Sequence, residues 1–150
     1  MNVPMLLSPK SEVRFLLDSY SLRQGLETMR AHGYTALPVI DKEGKYVGSV
    51  NDGDFLWYIV DSDIHGDIVR SLESRRIREI IRPTLAPPVN IDADMDTLVG
   101  RSMAQNFVPV IDDRGTFIGI VTRRSVIGML KKEAAKFATN ANGSAINDEL

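Results

Sequence analysis

The chain has 150 residues and a formal net charge of −2, with 43% hydrophobic and 25% charged residues. These values are typical of a folded globular domain, and they exclude a disordered chain and a general attraction to nucleic acid. Because the sequence has no cysteine and no apolar run of membrane-spanning length, it excludes disulfides and thiolate metal sites and predicts a soluble, cytoplasmic protein.

The first half of the chain predicts a strand, a helix, two strands and a second helix. Ser21 and Gln24 have the spacing of a capping box at the start of the first helix, and Gly33 is typical of a helix end. The turn 41–44 joins the two later strands, and Asn51 is typical of a helix N-cap. The predicted strands cover 13–17, 35–40 and 45–50.

The connector, residues 62–82, is predicted to form two short helices that end before Pro83. Its second piece contains the densest basic cluster of the chain, which consists of Arg75, Arg76, Arg78 and Arg82. Glu73 and Glu79 lie among these arginines, so a solvated helix with internal ion pairs is the favoured interpretation. A nucleic-acid adaptor is the alternative, and it predicts steeply salt-dependent binding of oligonucleotides.

The second half of the chain predicts the same order of elements. A short strand near 88–91 precedes a helix over 95–105, a pair of strands, and a helix that follows Thr122 and runs to Glu133. Met103 lies six residues before Pro109, whereas Met29 lies nine before Pro38, so if the two methionines correspond the second half has lost about one helical turn here. The polar segment 136–150 is predicted to be a flexible C-terminal tail.

The two halves of the chain are repeats of each other. The run ALPVID, followed by GKYVGSVN, recurs as FVPVID, followed by GTFIGIVT. Pro109 lies 71 positions after Pro38, and Gly119 lies 71 positions after Gly48. The same offset at several landmarks indicates an internal duplication with a single pattern of strands and helices.

The corner at the end of the second repeat has the residues of an anion site. Thr122, Arg123 and Arg124 lie where a strand meets the start of a helix, and a helix N-terminus favours negative charge. Two cations at a helix start oppose the helix dipole and therefore favour a counter-anion. The alternative interpretation is that Thr122 is an N-cap and that the arginines are solvated.

The duplicated pattern resembles a tandem pair of CBS domains, a Bateman module, over about residues 8–133. This resemblance implies an α+β fold of two repeats, 8–72 and 73–135, that pack around a pseudo-twofold axis and bind adenosine nucleotides in the clefts between them. The family motif is matched by Gly48, Val50, Asn51 and Asp54, but the second repeat has Ser125 where the motif has an aspartate.

The whole chain is more closely similar to the small stand-alone CBS pairs of Gram-positive bacteria that bind cyclic di-AMP. A carboxylate favours a ribose with a 2′,3′-diol, whereas a cyclic 3′,5′-dinucleotide has an esterified 3′-oxygen and favours guanidinium groups. The expected binding residues, placed by the resemblance and by the pseudo-symmetry, are Glu12, Val13, Arg14, Tyr34, Thr35, Ala36, Thr122, Arg123 and Arg124.

A second cleft is expected on the other side of the pseudo-twofold axis. Its candidate residues are Asn51, Asp54, Phe107 and Val108. The sequence offers no arginine pair there, so the second cleft is expected to be the less occupied of the two. A sensor of AMP, ADP or ATP that uses Asn51 and Asp54 is the alternative function.

The resemblance also implies a mode of action. It predicts a non-enzymatic regulator without a cofactor, which acts in trans on an effector protein such as a stringent-response nucleotide synthetase. It further implies a disc-shaped homodimer that forms through the last helix of each repeat. The sequence pairs no nucleophile with a base, and neither His32 nor His65 belongs to a pattern of metal ligands.

Overall fold

The computed structural model describes residues 1–62 and 66–148. The helices are α1 (Val3–Leu6), α2 (Leu22–His32), α3 (Asp52–Asp61), α4 (Ile68–Ser74), α5 (Met95–Ala104) and α6 (Arg123–Asp148). The strands are β1 (Ser8–Pro9), β2 (Leu16–Leu17), β3 (Ala36–Ile40), β4 (Tyr46–Asn51), β5 (Val89–Asn90), β6 (Phe107–Ile111) and β7 (Phe117–Thr122). None of the described helices combines the length and the hydropathy of a membrane span.

Local sequence signals set the ends of the helices in the first repeat. The Ser21 hydroxyl accepts a hydrogen bond from the Gln24 amide at 3.1 Å, and the Gln24 side chain accepts one from the Ser21 amide at 2.9 Å. Asn51 and Asp54 form the same reciprocal pair at the start of α3. Gly33 ends α2 with a φ of 67°, a left-handed conformation that glycine adopts without a steric penalty. These predicted caps are confirmed.

The strands form two sheets of matching topology. In one sheet β2 pairs parallel with β3, and β3 pairs antiparallel with β4. In the other, β5 pairs parallel with β6, β6 pairs antiparallel with β7, and β1 adds antiparallel to the free edge of β7. The structure therefore confirms the mixed α+β class and the duplication.

The two repeats exchange their leading segments. Ser8 in β1 lies beside Ile120 of the second repeat, whereas Arg82, after the first repeat, bridges back to Ser49. Each crossing passes over a glycine: a Cβ on Gly119 would lie 2.1 Å from the Ser8 carbonyl oxygen, and one on Gly48 would lie 3.1 Å from the Arg82 carbonyl oxygen. The glycines of the repeated motif are therefore needed for close backbone approach.

The hydrophobic cores follow this exchange. Val3 of α1 is fully buried in the core of the second repeat, with Val89, Leu98 and Val108. Ile77, which lies in the connector, is fully buried in the core of the first repeat. Each core is thus completed by a segment from outside its own repeat.

The two hairpins are joined at their turns. The Tyr46 amide donates to the Gly115 carbonyl at 3.1 Å, and the Phe117 amide donates to the Gly44 carbonyl at 2.9 Å. Beside this joint, the Phe117 ring lies 6.2 Å from the Tyr46 ring and 6.0 Å from the Phe15 ring, measured between centroids. These contacts fix the orientation of the clefts that lie between the repeats.

Three segments differ from the sequence prediction. The strand predicted over 13–17 pairs at Leu16–Leu17 alone. The second piece of the connector is a single 3₁₀ turn, Ile77–Glu79, because its backbone is bound to the loop before α2; the Ile77 amide donates to the Tyr20 carbonyl at 2.9 Å. The last helix continues to Asp148, through most of the predicted tail 136–150, whose flexibility stays a prediction. His65 lies outside the described residues.

Candidate functional site

One cleft between the repeats contains most of the predicted site. We call it the Thr122 cleft, and its volume is about 300 Å³. Of the nine predicted residues, those that line it are Glu12, Val13, Arg14, Tyr34, Ala36 and Thr122. The pseudo-symmetry therefore placed the turn after β1, the start of β3 and the end of β7 at one site.

Two hydroxyl groups lie together where α6 begins, and one of them, that of Thr122, lines the Thr122 cleft. Thr122 caps the helix, because its Oγ1 accepts a hydrogen bond from the Ser125 amide at 3.1 Å. The Thr122 and Ser125 hydroxyls lie 2.8 Å apart and are hydrogen-bonded to each other. The equivalent corner of the first repeat has the Asp54 carboxylate instead. The second repeat thus begins its last helix without a side-chain negative charge.

The structure places Arg123 away from the Thr122 cleft. Its guanidinium donates to the Ser102 carbonyl at 2.7 Å and to the Asn106 side chain at 2.8 Å. The last carbonyls of a helix have no partner within the helix, and α5 lacks the glycine cap that ends α2. Arg123 supplies donors to this end of α5, and the missing glycine was a sequence signal for that role.

Arg124 is exposed and has no hydrogen-bond partner among the residues that the structure describes. It lies in the first turn of α6, where a cation is unfavourable unless an anion is nearby. Neither cleft between the repeats includes Arg124 in its lining. Thr35, another predicted residue of the Thr122 cleft, lines the opposite cleft instead.

The opposite cleft is the larger one, with a volume of about 890 Å³. We call it the Asn51 cleft. Two of its four predicted residues, Asn51 and Phe107, line it. Val108 is fully buried in the core of the second repeat. Asp54 accepts from the Asn51 amide at 2.8 Å and forms a 2.8 Å ion pair with Arg82, so its carboxylate is already partnered.

Arg101 is a residue of the Asn51 cleft that the sequence reasoning missed. Its side chain lines the cleft, and its Nε atom is buried without a hydrogen-bond partner among the described residues. A buried guanidinium N–H without an acceptor is unfavourable, so this position favours an anionic or acceptor-rich ligand. The signal was present in the sequence, because Thr97 and Arg101 are four residues apart and share one face of α5.

Tyr46 fixes the wall of the Asn51 cleft. Its hydroxyl lies 2.7 Å from the Ser49 hydroxyl and donates to the Ala86 carbonyl at 2.7 Å. Ala86 lines the cleft with a φ of 56°, a conformation that is unfavourable for alanine unless its surroundings hold it. Burial raises the pKa of Tyr46 to about 12, so the hydroxyl keeps its proton at neutral pH.

Comparison with known proteins identifies the family. The family model of the CBS domain matches the chain twice, at residues 8–61 and 77–132. The chain belongs to the CBS domain family. Among proteins similar to this CBS pair is a CBS domain-containing protein of Dictyostelium discoideum, which is 27% identical over 131 residues and is matched over 84% of this chain and 89% of its own.

Solved structures share the fold of this CBS pair. The crystal structure of CbpB in complex with c-di-AMP matches with a TM-score of 0.84 and 24% identity, over 93% of this chain and 91% of that one. The crystal structure of CBSX2 in complex with AMP matches with a TM-score of 0.68 and 21% identity, over 89% and 98%. These matches confirm the architecture of a Bateman module. In the described part of the chain, no cluster of three or more His, Asp or Glu side chains is arranged to hold a metal ion.

Proposed function

We propose that this CBS pair is a non-enzymatic sensor that binds cyclic di-AMP in the Thr122 cleft and regulates a partner protein in trans. The observation that carries the proposal is the hydroxyl pair of Thr122 and Ser125 in place of a carboxylate at the start of α6. A carboxylate at this corner would repel a phosphodiester, whereas hydroxyls donate hydrogen bonds to it. CbpB, a structural neighbour, has been crystallised with this dinucleotide.

The charges of the cleft suggest how the ligand lies. Glu12 and Arg14 line the same cleft on either side of Val13. Because the Glu12 carboxylate repels phosphate, we place one of the two adenines against Val13 and Tyr34, and one of the two phosphates between Arg14 and Thr122. Arg124 is exposed in the first turn of α6 and does not line this cleft, so we expect its side chain to turn toward the bound phosphate and to give it a second guanidinium, which is a charge-assisted donor.

Calorimetric titration with cyclic di-AMP tests this site. Arg124→Ala and Arg14→Ala each remove a cation, so we expect the dissociation constant to rise at least tenfold for each, which corresponds to about 1.4 kcal/mol. Arg114→Ala, at an exposed position in the hairpin turn, is the matched control and should keep the affinity of the parent chain. Undiminished affinity in both cleft variants would contradict the proposal.

Arg123 provides a second control, because its side chain donates hydrogen bonds to the end of α5 and does not line the cleft. We expect Arg123→Ala to lower the free energy of unfolding by about 1–2 kcal/mol, since it removes charge-assisted hydrogen bonds to the end of a helix. Its affinity for cyclic di-AMP should change less than twofold. Urea denaturation and calorimetry on the same preparation separate the two effects.

A sensor of AMP, ADP or ATP in the Asn51 cleft is the alternative. It is supported by the larger volume of that cleft and by the buried Nε of Arg101, and CBSX2 has been crystallised with AMP. Asp52 and Asp96 also line the cleft, so a single phosphate fits its charge better than a triphosphate. If AMP at millimolar concentration displaces labelled cyclic di-AMP, and Arg101→Ala abolishes the displacement, the alternative is favoured.

The effector and the oligomeric state belong to the same proposal. We expect a homodimer whose affinity for an effector protein changes when the nucleotide binds, and the family resemblance points to a stringent-response nucleotide synthetase. The affinity of this chain for the purified synthetase, measured with and without cyclic di-AMP, tests this step. An equal affinity in both conditions would leave the chain a nucleotide-binding protein without this mode of regulation.

A further inference from the structure

The segments that cross from one repeat to the other carry different residues at matching positions. Arg82 lies opposite Ser49 of β4, and Ser8 lies opposite Ile120 of β7. Because Ile120 lies 71 positions after Ser49, the two pairings are equivalent. Arg82 therefore takes the place beside the Asn51 cleft that Ser8 takes beside the Thr122 cleft.

An ion pair occupies the start of α3, where the second repeat has uncharged side chains. The Asp54 Oδ1 atom lies 2.8 Å from the Nε atom of Arg82, and the Asp54 Oδ2 atom accepts from the Asn51 amide at 2.8 Å. The Asp54 side chain is 11% exposed, so both carboxylate oxygens are used within the protein. The matching residues of the second repeat are Ser8 and Ser125. The ion pair thus has no counterpart at the Thr122 cleft.

Arg82 lies at the edge of the Asn51 cleft. It precedes the segment 84–87, which lines that cleft, and Ser8 at the matching position lines the Thr122 cleft. The Arg82 side chain is 50% exposed, so a ligand in the cleft has access to it. A guanidinium has five N–H donors, and Asp54 engages this one through Nε. Without the carboxylate, the same group is a strong donor to phosphate.

The remaining features of the Asn51 cleft suit a large anionic ligand. Its volume is about 890 Å³, against about 300 Å³ for the Thr122 cleft. Arg101 lines it and has a buried Nε without a hydrogen-bond partner among the described residues. Asp52 and Asp96 also line the cleft, but both are exposed, so solvent and salt screen their charge. The shielded carboxylate of Asp54 is therefore the main obstacle to a phosphodiester.

We propose that Asp54 masks Arg82 as a phosphate ligand and thereby excludes cyclic di-AMP from the Asn51 cleft. This inference rests on the proposed function for the identity of the ligand. To reach Arg82, a phosphate would have to displace a carboxylate that the Asn51 amide also holds, and it would meet like charge at short range. The chain therefore binds one dinucleotide, in the smaller cleft, and Asp54 determines this choice.

Calorimetric titration with cyclic di-AMP counts the sites. We expect the parent chain to bind one dinucleotide per chain and Asp54→Ser, which introduces the residue of the second repeat, to bind two. Arg82→Ser is the matched control, because it removes the guanidinium and leaves the carboxylate, and it should keep one site. The double variant D54S/R82S should also keep one site, since it lacks the phosphate ligand. Asp54→Asn keeps an acceptor for the Asn51 amide and repeats the measurement if Asp54→Ser does not fold.

Adding Arg101→Ala to Asp54→Ser locates the gained site. We expect the affinity of the second binding event to fall at least tenfold and that of the first to stay unchanged. An unchanged second event would place the gained site elsewhere and overturn the inference. Two sites in the parent chain, no gain in Asp54→Ser, or a second site that persists in D54S/R82S would each overturn it as well. A parent chain that binds no dinucleotide contradicts the proposed function, whereas one gained site in Asp54→Ser still supports the masking of Arg82.

Discussion

At the scale of single residues, Tyr46 shows how one hydroxyl group shapes a cleft. The equivalent residue of the second repeat is Phe117, which has no hydroxyl. The hydrogen bond from Tyr46 to the Ala86 carbonyl therefore supports the Asn51 cleft and has no counterpart at the Thr122 cleft. Tyr46→Phe leaves the Ala86 carbonyl and the Ser49 hydroxyl without this partner. We expect a loss of about 1–2 kcal/mol in the free energy of unfolding near neutral pH.

The same variant changes the pH dependence of stability. The pKa of Tyr46 is about 12 in the folded chain and has an ordinary value of 10.0, so the folded state binds more protons between these values. The stability that the neutral phenol provides is present below pH 10 and is lost as the pH rises toward 12, by up to about 1.4 kcal/mol per pH unit. Urea denaturation from about pH 9 to about pH 11.5 should show a shallower decline for Tyr46→Phe. Parallel declines in the two proteins would contradict this assignment.

The candidate site was predictable where it depends on the duplication. Pseudo-symmetry brought Val13, Tyr34 and Thr122 to one cleft without any structural information. It failed for Arg123, because the direction of a long side chain depends on which acceptors lie near it, and the end of α5 lies within reach. From the sequence, Arg123 and Arg124 were expected to act as a pair. In the structure Arg123 binds the end of α5, whereas Arg124 is exposed.

At the scale of secondary-structure elements, the crossing of β1 over β7 depends on Gly119. Its φ of 153° is one that side chains rarely adopt, and a Cβ would collide with the backbone of β1. We expect Gly119→Ala to lower the free energy of unfolding by about 2–4 kcal/mol. Gly100→Ala is the control, because Gly100 lies within α5 with open space around it and should gain about 0.5–1 kcal/mol. Equal stability of both variants would show that the crossing is not tight.

Local signals determined the elements themselves but not the exchange between them. The caps of α2 and α3 were read correctly because each depends on residues three positions apart. The pairing of Ser8 with Ile120 joins segments that are distant in the chain, and no local pattern records it. The connector was overestimated as helix for the same reason, since its backbone bonds to the loop before α2 instead of to itself.

At the scale of the whole molecule, the exchange predicts that the two repeats unfold together. Val3 is fully buried in the core of the second repeat, so Val3→Ala should lower the free energy of unfolding by about 2 kcal/mol. Because the repeats share segments, the destabilisation should also shift the unfolding transition seen by Trp57, the single tryptophan, which lies in the first repeat. Coincident transitions by tryptophan fluorescence and circular dichroism would support this cooperativity. A Trp57 transition that does not move would show that the repeats are independent.

The exchange of leading segments has a consequence for a molecule that is built from two copies of one unit. A single half of the chain would have a cavity in its own core and a leading segment without a surface to pack on. Association with a second half would complete it, because the leading segment of each half would fill the cavity in the core of the other. Tandem duplication joins two such halves into one chain, so packing within one molecule replaces the association of two.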